Sequence, residues 1–184
     1  SHPSVEQLEA FYRESMDRPP VDYSVRPVYP LTNLQLYFAY VMRGNTTANL
    51  PFFFRLDRSV NLSRLKKAAE DVFDLHPGLK SIIQLDEGVY KNFRHDEKRV
   101  EVPIIRVSDA QWATLRQGLL KPYYYEKDEP LYHVGIYQTD SANYLFFDIA
   151  HIVGDGMTMN VLFEDLNSLY RGDTVEKESY TLFE

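Results

Sequence analysis

The chain has 184 residues, enough for one domain with a substantial core, since 44% of them are hydrophobic and 14% aromatic. A net charge of −7, from 20 basic and 27 acidic residues, argues against a nucleic-acid-binding surface. The absence of cysteine excludes disulfides, a thiolate nucleophile and thiolate metal sites. The sequence has no apolar run long enough to span a membrane and no signal-peptide pattern, so we expect a cytoplasmic location.

Four elements are predicted in the first half of the chain: a helix, a capped helix, a strand and a second capped helix. They cover 5–16, 33–42, 52–56 and 62–73. Thr32 and Asn61 are the predicted N-caps, because their side-chain oxygens can accept hydrogen bonds from the first free N–H groups. Pro19-Pro20 ends the first helix, since proline cannot continue it.

The second half contains two predicted hairpins, with a strand and a helix between them and a helix at the end. These elements cover 79–85, 89–93, 102–107, 109–120, 131–138, 143–149 and about 157–170. Asp109 is the predicted cap of the middle helix, and Asp140-Ser141 the predicted turn of the second hairpin. Mixed helices and hairpins favour an α+β fold with a mixed, mostly antiparallel sheet and helices packed on it.

The most informative stretch is Ile-Ala-His-Ile-Val-Gly-Asp-Gly at 149–156. The apolar run before it predicts a strand buried on both faces, and helical spacing follows it. We expect Gly154 and Gly156 to supply the backbone freedom of a sharp turn. His151 is therefore predicted to lie on a rigid corner, where a general base is useful.

Three segments together resemble the N-terminal lobe of the condensation domain of nonribosomal peptide synthetases. That family carries two adjacent histidines, three variable residues and Asp-Gly, which 150–156 matches at the second histidine, the aspartate and the glycine. Leu-His-Pro-Gly-Leu-Lys-Ser at 75–81 is similar to the family pattern Arg-His-Glu-x-Leu-Arg-Thr. Tyr-Pro-Leu-Thr-Asn-Leu-Gln at 29–35 is similar to a family segment ending in Ser-x-x-Gln.

The resemblance implies a fold like that of chloramphenicol acetyltransferase, with 1–27 as an N-terminal helix and linker and 28–184 as the lobe. Condensation domains have two such lobes and an active site in the tunnel between them. The chain ends soon after the helix that follows the histidine motif, so we expect the second lobe to be absent and the isolated lobe to be inactive.

The implied partners are the C-terminal lobe of the same domain and the upstream and downstream carrier proteins, with no nucleic acid and no membrane. The implied substrates arrive on phosphopantetheine arms of the carriers, and we expect this lobe to bind no cofactor of its own. The sequence shows no cluster with convincing metal-ligand spacing, so no metal is predicted.

In this family a carrier-bound amine attacks a carrier-bound acyl thioester and forms an amide. The amine must be neutral to attack and must lose a proton as the C–N bond forms. Imidazole titrates near neutral pH and suits that transfer. The resemblance implies that His151 is the catalytic residue, as general base or as the group that orients the amine. The alternative is a loop histidine without a catalytic task.

Three further residues are predicted to act structurally at the site. Asp155 lies at a helix start, where a carboxylate is favoured. The resemblance implies that it forms an ion pair with Lys80, and the simpler alternative is an N-cap without a charged partner. Gly156 is predicted to allow close approach of the substrate arm, with turn geometry alone as the alternative.

The sequence departs from the family pattern at several positions. Ala150 stands where the first motif histidine is usual, and Lys80 and His133 stand where arginines are usual. His76 matches a motif histidine whose role we expect to be structural. The three tyrosines at 123–125 are expected to pack at a loop-to-strand junction and not to form a binding surface, since aromatic side chains are bulky, apolar and common in cores.

Two other functions stay open at this point. Ala150 favours a degenerate condensation-like module that binds partner proteins instead of catalysing. The position of the histidine motif near the C-terminus is also compatible with a trimeric acetyltransferase that resembles chloramphenicol acetyltransferase. The two upstream motifs argue against that trimer.

Overall fold

A computed structural model describes residues 4–7, 9–10 and 24–183. Residues 5–7 and 9–10 are helical, and the rest of the helix predicted over 5–16 lies outside the described residues. The later elements are β1 (Val28–Pro30), α1 (Asn33–Tyr40), β2 (Asn49–Leu56), α2 (Leu62–Leu75), β3 (Ile82–Asp86), β4 (Val89–Phe93), β5 (Ile104–Arg106), α3 (Asp109–Leu115), β6 (Tyr132–Gln138), β7 (Asn143–Ala150) and α4 (Gly156–Arg171). The predicted α+β class is confirmed.

The described strands form two sheets where a single sheet was expected. The smaller sheet has the order β1-β4-β3, and the larger sheet has the order β2-β7-β6-β5. Every pairing is antiparallel except that of β5 with β6. The two predicted hairpins are β3–β4 and β6–β7. The first hairpin is extended by β1, which pairs with β4, and the second by β2, which pairs with β7. Local sequence patterns do not reveal these long-range pairings, which complete the two separate sheets.

The larger sheet carries the main core. Along β7 the side chains alternate, so Phe147 and Ile149 join the cluster that contains the inner faces of α2 and α4. Phe146 faces the other side, where it packs with Trp112 and Tyr137. The prediction that this strand is buried on both faces is confirmed. In the part of the chain that the structure describes, no helix is long and apolar enough to cross a membrane.

Two of the predicted caps are confirmed. The Thr32 hydroxyl accepts a hydrogen bond from the Gln35 backbone N–H at 3.3 Å, and Asn61 Oδ1 accepts one from the Arg64 backbone N–H at 3.0 Å. The last helix ends one residue later than expected, at Arg171, and its C-cap Gly172 has a φ of 92°, the left-handed conformation that glycine adopts at little cost.

The predicted cap of α3 is wrong. Ser108 is the N-cap, and its hydroxyl accepts a hydrogen bond from the Gln111 backbone N–H at 3.2 Å. Ser108 has the extended backbone of a cap, and the Gln111 side chain returns a bond to its N–H, which completes a capping box. Asp109 lies in the first turn, where its carboxylate accepts a hydrogen bond from the Ser141 hydroxyl at 2.9 Å.

Candidate active site at the end of strand β7

His151 lies on the short turn between β7 and α4, at the corner predicted from the sequence. Its backbone N–H donates to the Ala48 carbonyl at 2.9 Å, which ties the corner to the start of β2. Within the turn, the Val153 N–H donates to the Ala150 carbonyl at 3.1 Å. The backbone at His151 is therefore held from two directions.

The His151 ring is partly buried. It stacks on the ring of Phe38 from α1, with centroids 5.0 Å apart and planes inclined by 19°. Among residues 4–7, 9–10 and 24–183, no group forms a hydrogen bond with either ring nitrogen. Stacking thus fixes the plane of the imidazole while both nitrogens are left to bind another molecule.

Gln35 connects α1 to the same corner. Its side chain is buried, and its Nε2 donates to the Ile152 carbonyl at 3.3 Å. Its Oε1 accepts a hydrogen bond from the Thr32 backbone N–H at 2.9 Å, so the amide is held at both ends. The motif at 29–35 pointed to this residue without indicating its role. Phe38 was missed, since one aromatic in a helix carries no distinctive signal.

Asp155 is the N-cap of α4. Its Oδ1 accepts a hydrogen bond from the Thr158 backbone N–H at 2.9 Å, and the Thr158 hydroxyl accepts one from the Asp155 N–H at 3.1 Å. The backbone N–H and the hydroxyl of Thr158 lower the pKa of Asp155 below its ordinary value. The carboxylate therefore stabilises the helix start, which is the simpler of the two alternatives drawn from the sequence.

The predicted ion pair between Lys80 and Asp155 is wrong. Lys80 is 3% exposed, and its Nζ lies 2.8 Å from Asp74 Oδ1 and also donates to the Asp96 carbonyl. A lysine at the end of the 3₁₀ turn Pro77–Lys80 meets the carboxylate at the end of the preceding helix, while Asp155 is already engaged by Thr158. Lys80 therefore joins α2 to the loop after β4 instead of holding the histidine corner.

Gly154 and Gly156 are not among the residues with positive φ in the described chain, so neither adopts the left-handed backbone conformation that favours glycine. The expectation of special turn freedom is therefore wrong. A Cβ on Gly154 would lie 2.9 Å from both Ile149 Cδ1 and Thr158 Cγ2, so any larger residue there would force these side chains to shift. A Cβ on Gly156 would have no atom within 4 Å, so the start of α4 presents open space.

Within the described residues, His76 forms no hydrogen bond or ion pair with the corner, and it joins three other segments. Its Nε2 lies 2.8 Å from Asp165 Oδ2 on α4, and its Nδ1 lies 3.3 Å from Glu178 Oε2 in the C-terminal segment. Burial opposes protonation of the ring, but hydrogen bonds and charges from Glu178 and Asp165 outweigh it and raise the pKa of His76. These contacts agree with the structural role that was expected.

The fold and the corner together define a lobe of the chloramphenicol acetyltransferase type, with the motif histidine at a strand-to-helix junction. A family model described as "Condensation domain" matches residues 25–183. The chain belongs to the condensation domain family.

Known proteins with similarity to the chain are much longer than it is. It is 25% identical over 164 residues to surfactin synthase subunit 1 of Bacillus subtilis (strain 168), which is 89% of this chain and 4% of that protein. The condensation domain from Monacolin K polyketide synthase MokA has a TM-score of 0.68 at 22% identity, over 84% of this chain and 37% of that one. The X-domain in complex with OxyB from teicoplanin biosynthesis has a TM-score of 0.70 at 21% identity, over 92% and 38% respectively.

Proposed function

We propose that residues 28–184 are the histidine-bearing lobe of a domain that makes amides in nonribosomal peptide synthesis, with 1–27 as a preceding segment. A carrier-bound amine would attack the carbonyl carbon of a carrier-bound acyl thioester. The C–N bond forms, the C–S bond breaks, and the phosphopantetheine thiol leaves. His151 takes the amine proton, which then passes to the departing sulfur.

One observation carries this proposal: His151 is held on a fixed corner with both ring nitrogens available. The Ala48 carbonyl orients its backbone and the Phe38 ring orients its imidazole. A base that is already oriented lowers the entropic cost of reaching the transition state. Asp155 contributes by fixing the start of α4, and the open space at Gly156 supports its proposed role beside the substrate arm.

Exposed apolar side chains on the two helices that meet the corner support a covering partner. On α1 and just beyond its end, Leu34 is 67% exposed, Tyr37 49% and Val41 62%. On α4, Met157 is 70% exposed and Val161 44%. Clustered exposed apolar side chains mark surfaces that bind another protein or lobe. We infer that the second lobe of the same domain covers this surface and completes a tunnel, which the two carriers enter.

The test uses the two-lobed parent and carrier-loaded substrates. His151→Ala is expected to lower the rate of amide formation by about 10²- to 10⁴-fold, the usual contribution of a general base. His95→Ala is the matched control, because His95 is another partly exposed histidine, whose partner is Glu97. Undiminished product from His151→Ala would refute the catalytic role. Amide formation by the 184-residue chain alone would refute the need for a second lobe.

A partner-binding module is the second candidate. It is favoured by Ala150, which is fully buried in the position of the first motif histidine. One structural relative is itself an X-domain in complex with OxyB. Loss of product in the His151→Ala parent, with its affinity for both carriers retained, would favour catalysis. Loss of affinity for a partner protein, instead of loss of product, would favour the binding module.

A further inference from the structure

We propose that Asp148 and His133 are positioning residues for His151, and that they act through Asn49. The inference rests on the proposed catalytic role of His151. These residues form a cluster behind the corner, on the face of β7 opposite to α2 and α4, together with Tyr123.

Asp148 is fully buried three residues before His151. Its Oδ2 accepts a hydrogen bond from Asn49 Nδ2 at 2.7 Å and one from the Tyr123 hydroxyl at 3.1 Å. His133 is its cross-strand neighbour on β6, and His133 Nδ1 lies 3.5 Å from the same oxygen. One carboxylate oxygen of Asp148 thus contacts side chains from β2, from β6 and from the segment before β6.

Burying a carboxylate is costly unless donors and positive charge compensate it. Within this cluster, His133 is the member that can carry a positive charge. Its ring is held parallel to that of Tyr123, with centroids 4.7 Å apart and planes inclined by 8°. The imidazole is therefore oriented by stacking toward the carboxylate. Removing it would leave Asp148 buried with two neutral donors.

The route from this cluster to His151 is short. Asn49 begins β2, and the residue before it, Ala48, accepts the His151 backbone N–H. Asn49 Nδ2 is fixed between Asp148 Oδ2 and the Lys121 carbonyl, which lies 2.8 Å away. If Asp148 no longer holds Asn49, the Ala48 carbonyl can shift and the histidine corner shifts with it. Displacements of about 1 Å are enough to lower catalysis strongly.

Hydrogen exchange of the His151 backbone amide measures this link directly. In the 184-residue chain, His133→Ala is expected to speed that exchange about tenfold, because loss of a partner to a buried charged group weakens the local structure. The Thr139 amide, bonded to the Ala142 carbonyl at 2.8 Å in the β6–β7 turn, is expected to keep its rate. Equal acceleration at both amides, or none at His151, would overturn the inference.

Two further variants keep the test decisive. Tyr123→Phe removes only one hydroxyl from the cluster, so it is expected to speed exchange at His151 even if His133→Ala does not fold. His133→Arg places a cationic donor opposite Asp148 and is expected to return the His151 amide to the parental rate. Failure of the arginine variant to restore protection would show that charge opposite Asp148 is not what matters.

Kinetics in the two-lobed parent separate this inference from the proposed function. His133→Ala is expected to lower kcat about tenfold with KM unchanged, since it misorients the base without touching the substrate. His133→Arg is expected to recover kcat. A kcat that is unaffected by His133→Ala would overturn the positioning role. Intact activity in His151→Ala would instead refute the proposed function. The exchange result would still test whether the Asp148 cluster holds the His151 backbone.

Discussion

We predict that His76 stabilises the fold in a pH-dependent way, because two carboxylates lie close to its ring. Its two ring nitrogens face the carboxylates of Asp165 and Glu178 at 2.8 and 3.3 Å. Ionised carboxylates only accept hydrogen bonds, and a neutral imidazole has a single N–H. Both contacts are therefore satisfied only when the ring is protonated, and then they join α2, α4 and the C-terminal segment.

The expected size follows from these two contacts. A hydrogen bond to a charged group contributes about 1.5–3 kcal/mol when it is well shielded from water. Shielding here is partial, because the His76, Asp165 and Glu178 side chains are 15%, 21% and 34% exposed. We therefore expect His76→Gln to cost about 2 kcal/mol of unfolding free energy at acidic pH. For a domain of this size that corresponds to a fall in Tm of about 4–8 °C.

The direction of the pH dependence follows from the sign of the shift. The pKa of His76 in the folded chain is raised above its ordinary 6.5, because the two carboxylates outweigh the effect of burial. The folded state then binds the proton more tightly than the unfolded state does. The stabilisation is complete below pH 6.5 and is lost as the pH rises through the raised pKa.

Urea unfolding of the parent and of His76→Gln across about pH 5.5 to 9 gives the measurement, since other titrating groups cancel in the difference. The difference is expected to be largest at the acidic end and to shrink with rising pH. His95→Gln, at a histidine whose partner is the exposed Glu97, serves as the control for replacing a histidine as such. A difference that stays constant or grows with pH would refute the doubly bonded imidazolium.

Three substitutions at or behind the corner give further expectations. Gly154→Ala is expected to lower the free energy of unfolding in urea by about 2 kcal/mol, because its Cβ overlaps packed side chains. Gly156→Ala, whose Cβ meets open space, is expected to leave that free energy unchanged or higher. Equal losses in the two variants would contradict this. His133→Arg is expected to raise stability by about 1 kcal/mol, or Tm by about 3 °C, because the guanidinium fork can also reach Asp148 Oδ1, which has no partner within the described residues. An unchanged or lower Tm would contradict that.

Elements set by neighbouring residues were predictable from the chain. The β3–β4 and β6–β7 hairpins follow from apolar runs and turn residues, and the Thr32 and Asn61 caps follow from side chains that reach N–H groups three residues away. The α3 cap was misplaced by one position, because Ser108 and Asp109 are both good caps. Backbone conformation decided between them.

Partners of buried polar groups were much less predictable. Asp148 sits within an apolar strand run, and that lone carboxylate was a signal that sequence reasoning passed over. Its partners come from β2, β6 and the segment before β6, which only the sheet order brings together. The prediction for Lys80 chose the wrong carboxylate for a similar reason. The motif indicates a basic residue, but only the fold determines which acidic side chain lies close to it.

The sequence by itself determined that a histidine would stand at a strand-to-helix corner and that Asp155 would lie at the start of the helix after it. Those outcomes depend on backbone preferences and hydrogen bonds that span a few residues. Tertiary structure alone decided what holds that histidine: the Phe38 ring, the Ala48 carbonyl, and a Gln35 bond to Ile152 across 117 residues. Such contacts form because burial forces distant polar and aromatic groups to find partners, and only the packed fold sets which groups come within a few ångströms.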